Sequence, residues 1–237
     1  MTSPLDDGHK DAVASFVINT MPAHDLWCEP WFRMGEVFFR KKPSRKEVVN
    51  DPDNAVVNFY LMVRSRWEQL HFLMEGTLHC DFLSRLADRV AEDGSSDELY
   101  RAWAFWLQYS RAFVSPDRWS VSDVLPGHEC LQSEAQRKVL AHLSQRLSGV
   151  YLSDRDPFEV IRQADSSGTL FYFCPPYKRS LVLLEPLLRQ LRGSYILHTT
   201  EAAFMKKMAS RLGLYTDADS LPLGIYTSFV RQPGLFG

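Results

Sequence analysis

The chain contains an aromatic run that ends in two prolines, Thr169-Leu170-Phe171-Tyr172-Phe173-Cys174-Pro175-Pro176-Tyr177. Its unbroken apolar character predicts a buried strand. The two prolines fix the backbone just beyond that strand and remove two amide donors, which leaves carbonyl groups directed into the space past the strand end. Tyr177 then offers a flat ring for stacking an extruded base. A proline pair alone is usually structural, so the elements around it decide its meaning.

Strand-like and helical segments alternate on both sides of this run. Because such alternation is typical of a parallel sheet, the pattern predicts an α/β fold. A proline pair at the end of a central strand in such a sheet indicates a ligand site. The strand-like segments are 25–32, 46–49, 150–153, 169–174 and 194–197, and the helical ones are 54–75, 180–191, 201–212 and one that opens at Asp156-Pro157.

The middle of the chain is almost wholly helical in pattern. Segments 82–90, 97–114 and 133–147 are separated by the turn-forming runs Gly94-Ser95-Ser96 and Ser115-Pro116-Asp117. We therefore expect a helical insertion over residues 77–149. It would lie between two halves of one α/β domain, at residues 1–76 and 150–237.

Composition limits the classes of function. A chain of 237 residues, 45% hydrophobic, can bury a sizeable core and is not a disordered tail. Since the chain has 27 basic and 29 acidic residues, its net charge does not attract DNA, and any contact with DNA must use a local basic patch. No apolar run approaches the ~20 residues of a membrane helix, so we expect a cytoplasmic protein without a membrane partner. The four cysteines form neither a CxxC pair nor a zinc-ligand spacing.

Three residues after predicted strands are candidates for cofactor contacts. Gly35 allows either close backbone approach to a ligand or an ordinary turn. Asp51 could accept hydrogen bonds from a ribose diol, and Asp156 could face an adenine amino group. Both aspartates also suit a helix start, where a carboxylate accepts free backbone amides. The sequence leaves both interpretations open.

Several of these segments, in order and over most of the chain, resemble the Dam-type DNA adenine methyltransferases. Such enzymes methylate the exocyclic amine of adenine with S-adenosylmethionine. The resemblance implies a Rossmann-like S-adenosylmethionine-dependent methyltransferase fold whose helical insertion is the target-recognition region. The similar segments are Glu29-Pro30-Trp31-Phe32-Arg33-Met34-Gly35 (cofactor motif), Val48-Val49-Asn50-Asp51 (ribose), Arg155-Asp156-Pro157-Phe158-Glu159-Val160-Ile161 (cofactor adenine), Phe171 to Tyr177 (the catalytic DPPY strand end) and, faintly, Ser3-Pro4-Leu5 with Lys10.

The resemblance also assigns site residues. The catalytic set that it implies is Cys174, Pro175, Pro176 and Tyr177. The cofactor-binding set that it implies is Lys10, Trp31, Gly35, Asp51 and Asp156.

The chain departs from the family pattern where the chemistry would occur. The family's aspartate before Pro-Pro accepts a hydrogen bond from the adenine amine, and here that position is Cys174, whose thiol is a weak acceptor and mostly neutral at pH 7. Arg33 replaces the first cofactor glycine, Met34 and Glu36 replace small residues, and Gly8-His9 replaces a glycine pair. A helix also follows Tyr177 without the family's longer loop.

These departures predict a pseudoenzyme with impaired catalysis and little or no cofactor affinity. It would bind DNA, an active methyltransferase subunit or a second copy of itself. The alternative is an active adenine methyltransferase that uses S-adenosylmethionine, with Asp154 or Asp156 supplying the missing acceptor. A third interpretation makes Cys174 a covalent nucleophile on a pyrimidine, as in the cytosine carbon-5 methyltransferases, although their cysteine follows a proline.

A basic run supplies the candidate DNA contacts. Residues 40–46 carry five cations between two predicted core elements, a density that suits phosphate binding and equally suits a solvated loop. The five are Arg40, Lys41, Lys42, Arg45 and Lys46.

Overall fold

A computed structural model describes residues 7–77, 81–93, 96–112, 133–215 and 224–228. The helices in this part of the chain are α1 (Asp7–Thr20), α2 (Glu36–Arg40), α3 (Asn54–Glu75), α4 (Asp81–Glu92), α5 (Glu98–Ala112), α6 (Ser133–Arg146), α7 (Pro157–Ala164), α8 (Lys178–Leu188) and α9 (Ala202–Leu212). The strands are β1 (Leu26–Glu29), β2 (Lys46–Asn50), β3 (Tyr151–Ser153), β4 (Thr169–Phe173), β5 (Ser194–His198) and β6 (Ile225–Thr227).

The six strands form one sheet in the order β3-β2-β1-β4-β5-β6. Strand β1 pairs in parallel with both β2 and β4, and β4 pairs in parallel with β5. Strand β6 runs antiparallel to β5 at one edge. The fold is thus α/β with a mostly parallel sheet, which is compatible with a Rossmann-like architecture.

The chain divides into two compact units. One is Asp53–Leu152, and the other combines Asp7–Pro52 with Ser153–Gly237. The second unit contains the central strands, and all five residues of β4 are buried in it. Phe171 and Phe173 stack there at 5.3 Å between ring centroids and pack with Leu181 and Met205 in one apolar core. Burial on both faces explains why β4 has no polar alternation.

The helical unit is formed by α3 to α6, with α3 packed most extensively against α5 and α6. Phe59 of α3 and Phe105 of α5 lie 5.4 Å apart. Asp53 caps α3 by accepting a hydrogen bond from the amide of Ala55 at 3.0 Å. Because α3 packs on the other helices, this unit begins at Asp53, earlier than the predicted insertion start at residue 77.

Two elements lie outside the predicted alternation. Helix α1 precedes the first strand, and β6 follows the last predicted helix. Within the described residues, no helix combines the length and apolar character needed to cross a bilayer.

Candidate functional site at the carboxyl edge of the sheet

The predicted strand-end residues meet at one edge of the sheet. Strands β1 and β4 are neighbours, and the chain leaves β1 toward β2 on one side and leaves β4 toward β5 on the other. This reversal of direction is the point at which open α/β sheets bind their ligands. We name the polar residues gathered there the carboxyl-edge cluster: Glu29, Arg33, Glu36, Tyr172, Cys174 and His198.

Gly35 has a packing role in the turn after β1. Its φ of 64° lies in the left-handed region, where a side chain is strained. A Cβ there would lie 2.5 Å from Cζ of Phe32 and 2.8 Å from Cε2 of Phe39. The room that the missing side chain provides is therefore filled by two aromatic rings of the protein itself.

Arg33 also adopts the left-handed conformation, with φ of 51°. Its main-chain amide donates a hydrogen bond of 2.7 Å to Oδ2 of Asp51. Asp51 is buried at the end of β2, so one oxygen of the carboxylate predicted to bind ribose accepts from the neighbouring turn. This contact joins the ends of β1 and β2.

Asn50 connects three strand ends, a role that the sequence analysis missed. Its Nδ2 donates to the carbonyl oxygens of Pro30 and Arg155 at 3.1 and 3.0 Å. Its Oδ1 accepts from Oγ of Ser153 and from the amide of Arg155 at 2.6 and 2.9 Å. The sequence shows only an Asn directly after an apolar strand. That position suggests a buried amide, which must be hydrogen-bonded, but it does not identify the partners.

Other predicted cofactor residues also have internal roles. The carboxylate of Asp156 caps α7 by accepting from the amides of Phe158 and Glu159 at 2.8 and 3.1 Å. Trp31 is buried and meets the rings of Phe158 and Phe173 edge-on. Lys10 lies in α1, but its side chain is outside the described part of the structure.

Glu29 is a buried carboxyl group at the end of β1. It is 2% exposed, and its Oε2 accepts a 3.2 Å hydrogen bond from Nε1 of Trp27. Burial raises the pKa of Glu29 well above its ordinary value, against smaller lowering effects of Trp27 and Lys41. The sequence resemblance places Glu29 in the cofactor motif without assigning it a chemical role.

Cys174 lies beside His198 and Tyr172 at the end of β4. Its Sγ is 3.6 Å from Nδ1 of His198, and the same nitrogen lies 3.1 Å from the Tyr172 hydroxyl. Burial raises the pKa of the Cys174 thiol to about 11, with Arg33 opposing the shift and Glu36 and Glu29 adding to it. The group at this position is therefore a neutral thiol at physiological pH.

The residues after Cys174 turn outward. Pro175 is buried, whereas the Tyr177 side chain is 72% exposed in an extended conformation immediately before α8. The predicted stacking ring is accessible. Helix α8 begins at the next residue, as the sequence analysis expected of a short connection.

The basic run 40–46 needs one correction. Lys41 is buried, with its Nζ 2.5 Å from Oε1 of Glu47 and 4.8 Å from the ring centroid of Trp27. It is therefore not available to a phosphate, because the loop folds its charge inward onto Glu47. Arg40, Lys42, Arg45 and Lys46 are exposed, and Arg45 lies 3.2 Å from Asp25.

No protein-family model matches this chain, and no curated protein shows significant sequence similarity to it.

Proposed function

We propose that this chain is a methyltransferase-like protein that has lost methyl transfer and acts by binding DNA. The observation that carries the proposal is Cys174 at the β1/β4 switch point, where the Dam-type family has an aspartate, with its Sγ 3.6 Å from Nδ1 of His198. Transfer to an adenine amine requires a strong acceptor for the amine hydrogen. Loss of one such transition-state hydrogen bond costs on the order of a hundred- to a thousand-fold in rate.

The turn after β1 supports weak or absent cofactor binding. The residues here do not fit S-adenosylmethionine well, since Phe32 and Phe39 fill the space beside Gly35. An oxygen of Asp51 already accepts the amide of Arg33. A ligand at this edge would need both contacts to change, and each change would reduce its affinity.

DNA binding is supported by exposed groups in the unit that contains this edge, one at the carboxyl end of β4 and the others at or before the amino end of β2. Tyr177 presents its ring to solvent, and base stacking on an aromatic ring is worth about 1–3 kcal/mol per base. Arg40, Lys42, Arg45 and Lys46 supply exposed positive charge in the same unit. Phosphate contacts of this kind are independent of sequence and dependent on salt.

Titration of the protein with S-adenosylmethionine in a calorimeter tests the first part of the proposal. We expect no binding at micromolar concentrations. Micromolar affinity together with methyl incorporation into an adenine-containing duplex would instead establish the active-enzyme alternative. In that alternative Asp156 is a poor substitute acceptor, because its carboxylate already caps α7.

The matched variant combines Arg33→Gly with Cys174→Asp. It restores the small residue of the turn and the carboxylate before Pro175-Pro176. Methylation by this variant alone would support a decayed methyltransferase site, with Tyr177→Ala as its inactive control. Anisotropy of a labelled duplex tests DNA binding separately, and the absence of binding at low salt would refute that part.

A further inference from the structure

Helices α8 and α9 present a strongly basic surface in a chain with a net charge of −2. Glu185 is the only carboxylate in the two helices. We name this surface the α8–α9 face. Its cations are all exposed: Lys178 and Arg179 of α8, Arg189 at the C-cap of α8, and Lys206, Lys207 and Arg211 of α9. One further carboxylate, Glu201, lies at the N-cap of α9.

Contacts between the helices place two of these cations, Lys178 and Arg211, against the neighbouring helix. Nζ of Lys178 lies 5.5 Å from the ring centroid of Phe204 at the amino ends. Arg211 donates two hydrogen bonds to Glu185, of 2.7 and 2.8 Å, near the carboxyl ends. Both pairs are 26 residues apart in sequence, so the helices run side by side in parallel. Lys207 precedes Arg211 by one turn and therefore lies on the same side of α9.

The single carboxylate does not neutralise the face. Glu185 accepts from Arg211 and lies 3.6 Å from Arg189, and these pairings lower the pKa of its carboxyl group. Two arginines thus share one negative charge. Lys178, Arg179, Lys206 and Lys207 add four positive charges with no other carboxylate on either helix.

We propose that the α8–α9 face binds the phosphate backbone of a nucleic acid. This inference rests on the proposed DNA-binding function and assigns it a surface other than the 40–46 loop. At 1.5 Å per residue, the 11 residues of α8 span about 16 Å, the axial rise of about five phosphates along one strand. Exposed Tyr177 lies immediately before Lys178, where a base could stack beside the contacted phosphates.

Two other occupants fit the face less well. A second copy that met it through a twofold axis would set these cations against the same cations, which is unfavourable. Val182 and Leu183 are 51% and 52% exposed on α8 and would suit an anionic membrane surface. Two apolar side chains are few beside six cations, so nucleic acid is the favoured occupant. The test therefore includes a measurement of binding to anionic vesicles.

The test compares two triple variants of the full chain that lose equal charge. One is Lys178→Gln, Arg179→Gln and Lys207→Gln on the face. The matched control is Arg155→Gln, Arg162→Gln and Arg192→Gln, three exposed cations outside the α8–α9 face, the 40–46 loop and the helical unit. Glutamine keeps helix propensity, and thermal unfolding by circular dichroism verifies that both variants fold.

Binding is measured by anisotropy of a short fluorescein-labelled DNA duplex, and of its single strand, over a series of salt concentrations. Each lost phosphate contact reduces the slope of log affinity against log salt by about 0.9 on a duplex. We expect the affinity of the face variant to be lower by about ten-fold or more. The slope of its log affinity against log salt should be smaller than that of the wild type by about three. The control should match the wild type.

Each other result has a defined meaning. Equal affinities of the face variant and the wild type would overturn this inference while leaving DNA binding in place. No binding by the wild type would instead refute the proposed function. Cosedimentation with phosphatidylserine vesicles that the face variant loses, without any effect on DNA, would assign the face to a membrane and overturn the inference.

Discussion

The main-chain amide of Arg33 donates a 2.7 Å hydrogen bond to Oδ2 of Asp51, and the bond joins the turn after β1 to the end of β2. Arg33 makes this bond with φ of 51°. A residue with a Cβ pays about 1–2 kcal/mol in that conformation. The turn is therefore held in a strained form by a contact that also occupies the predicted ribose carboxylate.

Replacing Arg33 by Gly and by Ala separates this strain from the side chain's own contacts. Both variants lose the guanidinium, but only glycine tolerates positive φ without penalty. We expect Arg33→Gly to be more stable than Arg33→Ala by about 1 kcal/mol in urea unfolding. Equal stabilities would indicate that the turn does not keep φ positive.

Asn50 should be the costliest polar residue to replace at this edge. Asn50→Leu removes four hydrogen bonds and leaves buried partners unsatisfied, at about 1–3 kcal/mol for each group that water cannot reach. We expect a loss of at least about 3 kcal/mol in the free energy of unfolding. Gln190→Leu, at an exposed position, is the matched control and should change stability little. A loss as small as the control's would contradict the role of Asn50 in joining the strand ends.

Glu29 should make stability fall as pH rises. Its folded pKa is raised, so the folded protein retains a proton that the unfolded chain releases above about pH 4.3. Glu29→Gln keeps an acceptor for Trp27 and removes this titration. We expect the free energy of unfolding of Glu29→Gln to rise relative to that of the wild type as pH increases. Urea unfolding across a pH series measures this difference.

Glu185 provides a contrast of opposite sign. The Arg211 hydrogen bond lowers its pKa, so its stabilising contribution is present at neutral pH and is lost as pH falls through the folded pKa. Glu185→Gln should therefore be less stable than the wild type at neutral pH and equal to it in acid. If the stabilities of Glu29→Gln and Glu185→Gln, each relative to the wild type, depended on pH in the same way, the pKa directions assigned to Glu29 and Glu185 would both be contradicted.

The sequence was sufficient for much of the secondary structure and for little of the site. Helix α3 matches its predicted bounds because a long amphipathic pattern between Asn54 and Glu75 has clear ends. The buried strand β4 was predicted equally well from its apolar run. The hydrogen bonds of Asn50 and of the Arg33 amide join residues that are distant along the chain, and local pattern carries no information on such contacts. For Gly35 the sequence left both a ligand-facing turn and an ordinary turn open, because a single glycine before a helix does not reveal that the ring of Phe32 fills the adjacent space.

Lys41 shows the same limit for charge. A lysine among five cations has the pattern of a solvated or phosphate-binding side chain, yet this one pairs with buried Glu47. Removing one partner of a buried ion pair costs about 3–5 kcal/mol, so Lys41→Met should destabilise strongly and exposed Lys42→Met should not. The double variant Lys41→Met, Glu47→Leu should recover part of the loss, because it removes both buried charges but also the acceptor of the Ser44 amide. Urea unfolding checks all three, and a mild effect of Lys41→Met would mean that Lys41 is not buried in solution.

Cys174 should react slowly with thiol reagents, because only the thiolate is nucleophilic and burial raises the pKa of this thiol to about 11. The rate of iodoacetamide modification at Cys174, followed by peptide mass mapping, should rise about ten-fold per pH unit from pH 7 to 9 without a plateau. Cys28 is fully buried, and burial also raises its pKa, so it should stay unmodified until the protein unfolds. A plateau near neutral pH would show a stabilised thiolate. That result would weaken the proposed loss of chemistry and favour the interpretation of Cys174 as a covalent nucleophile.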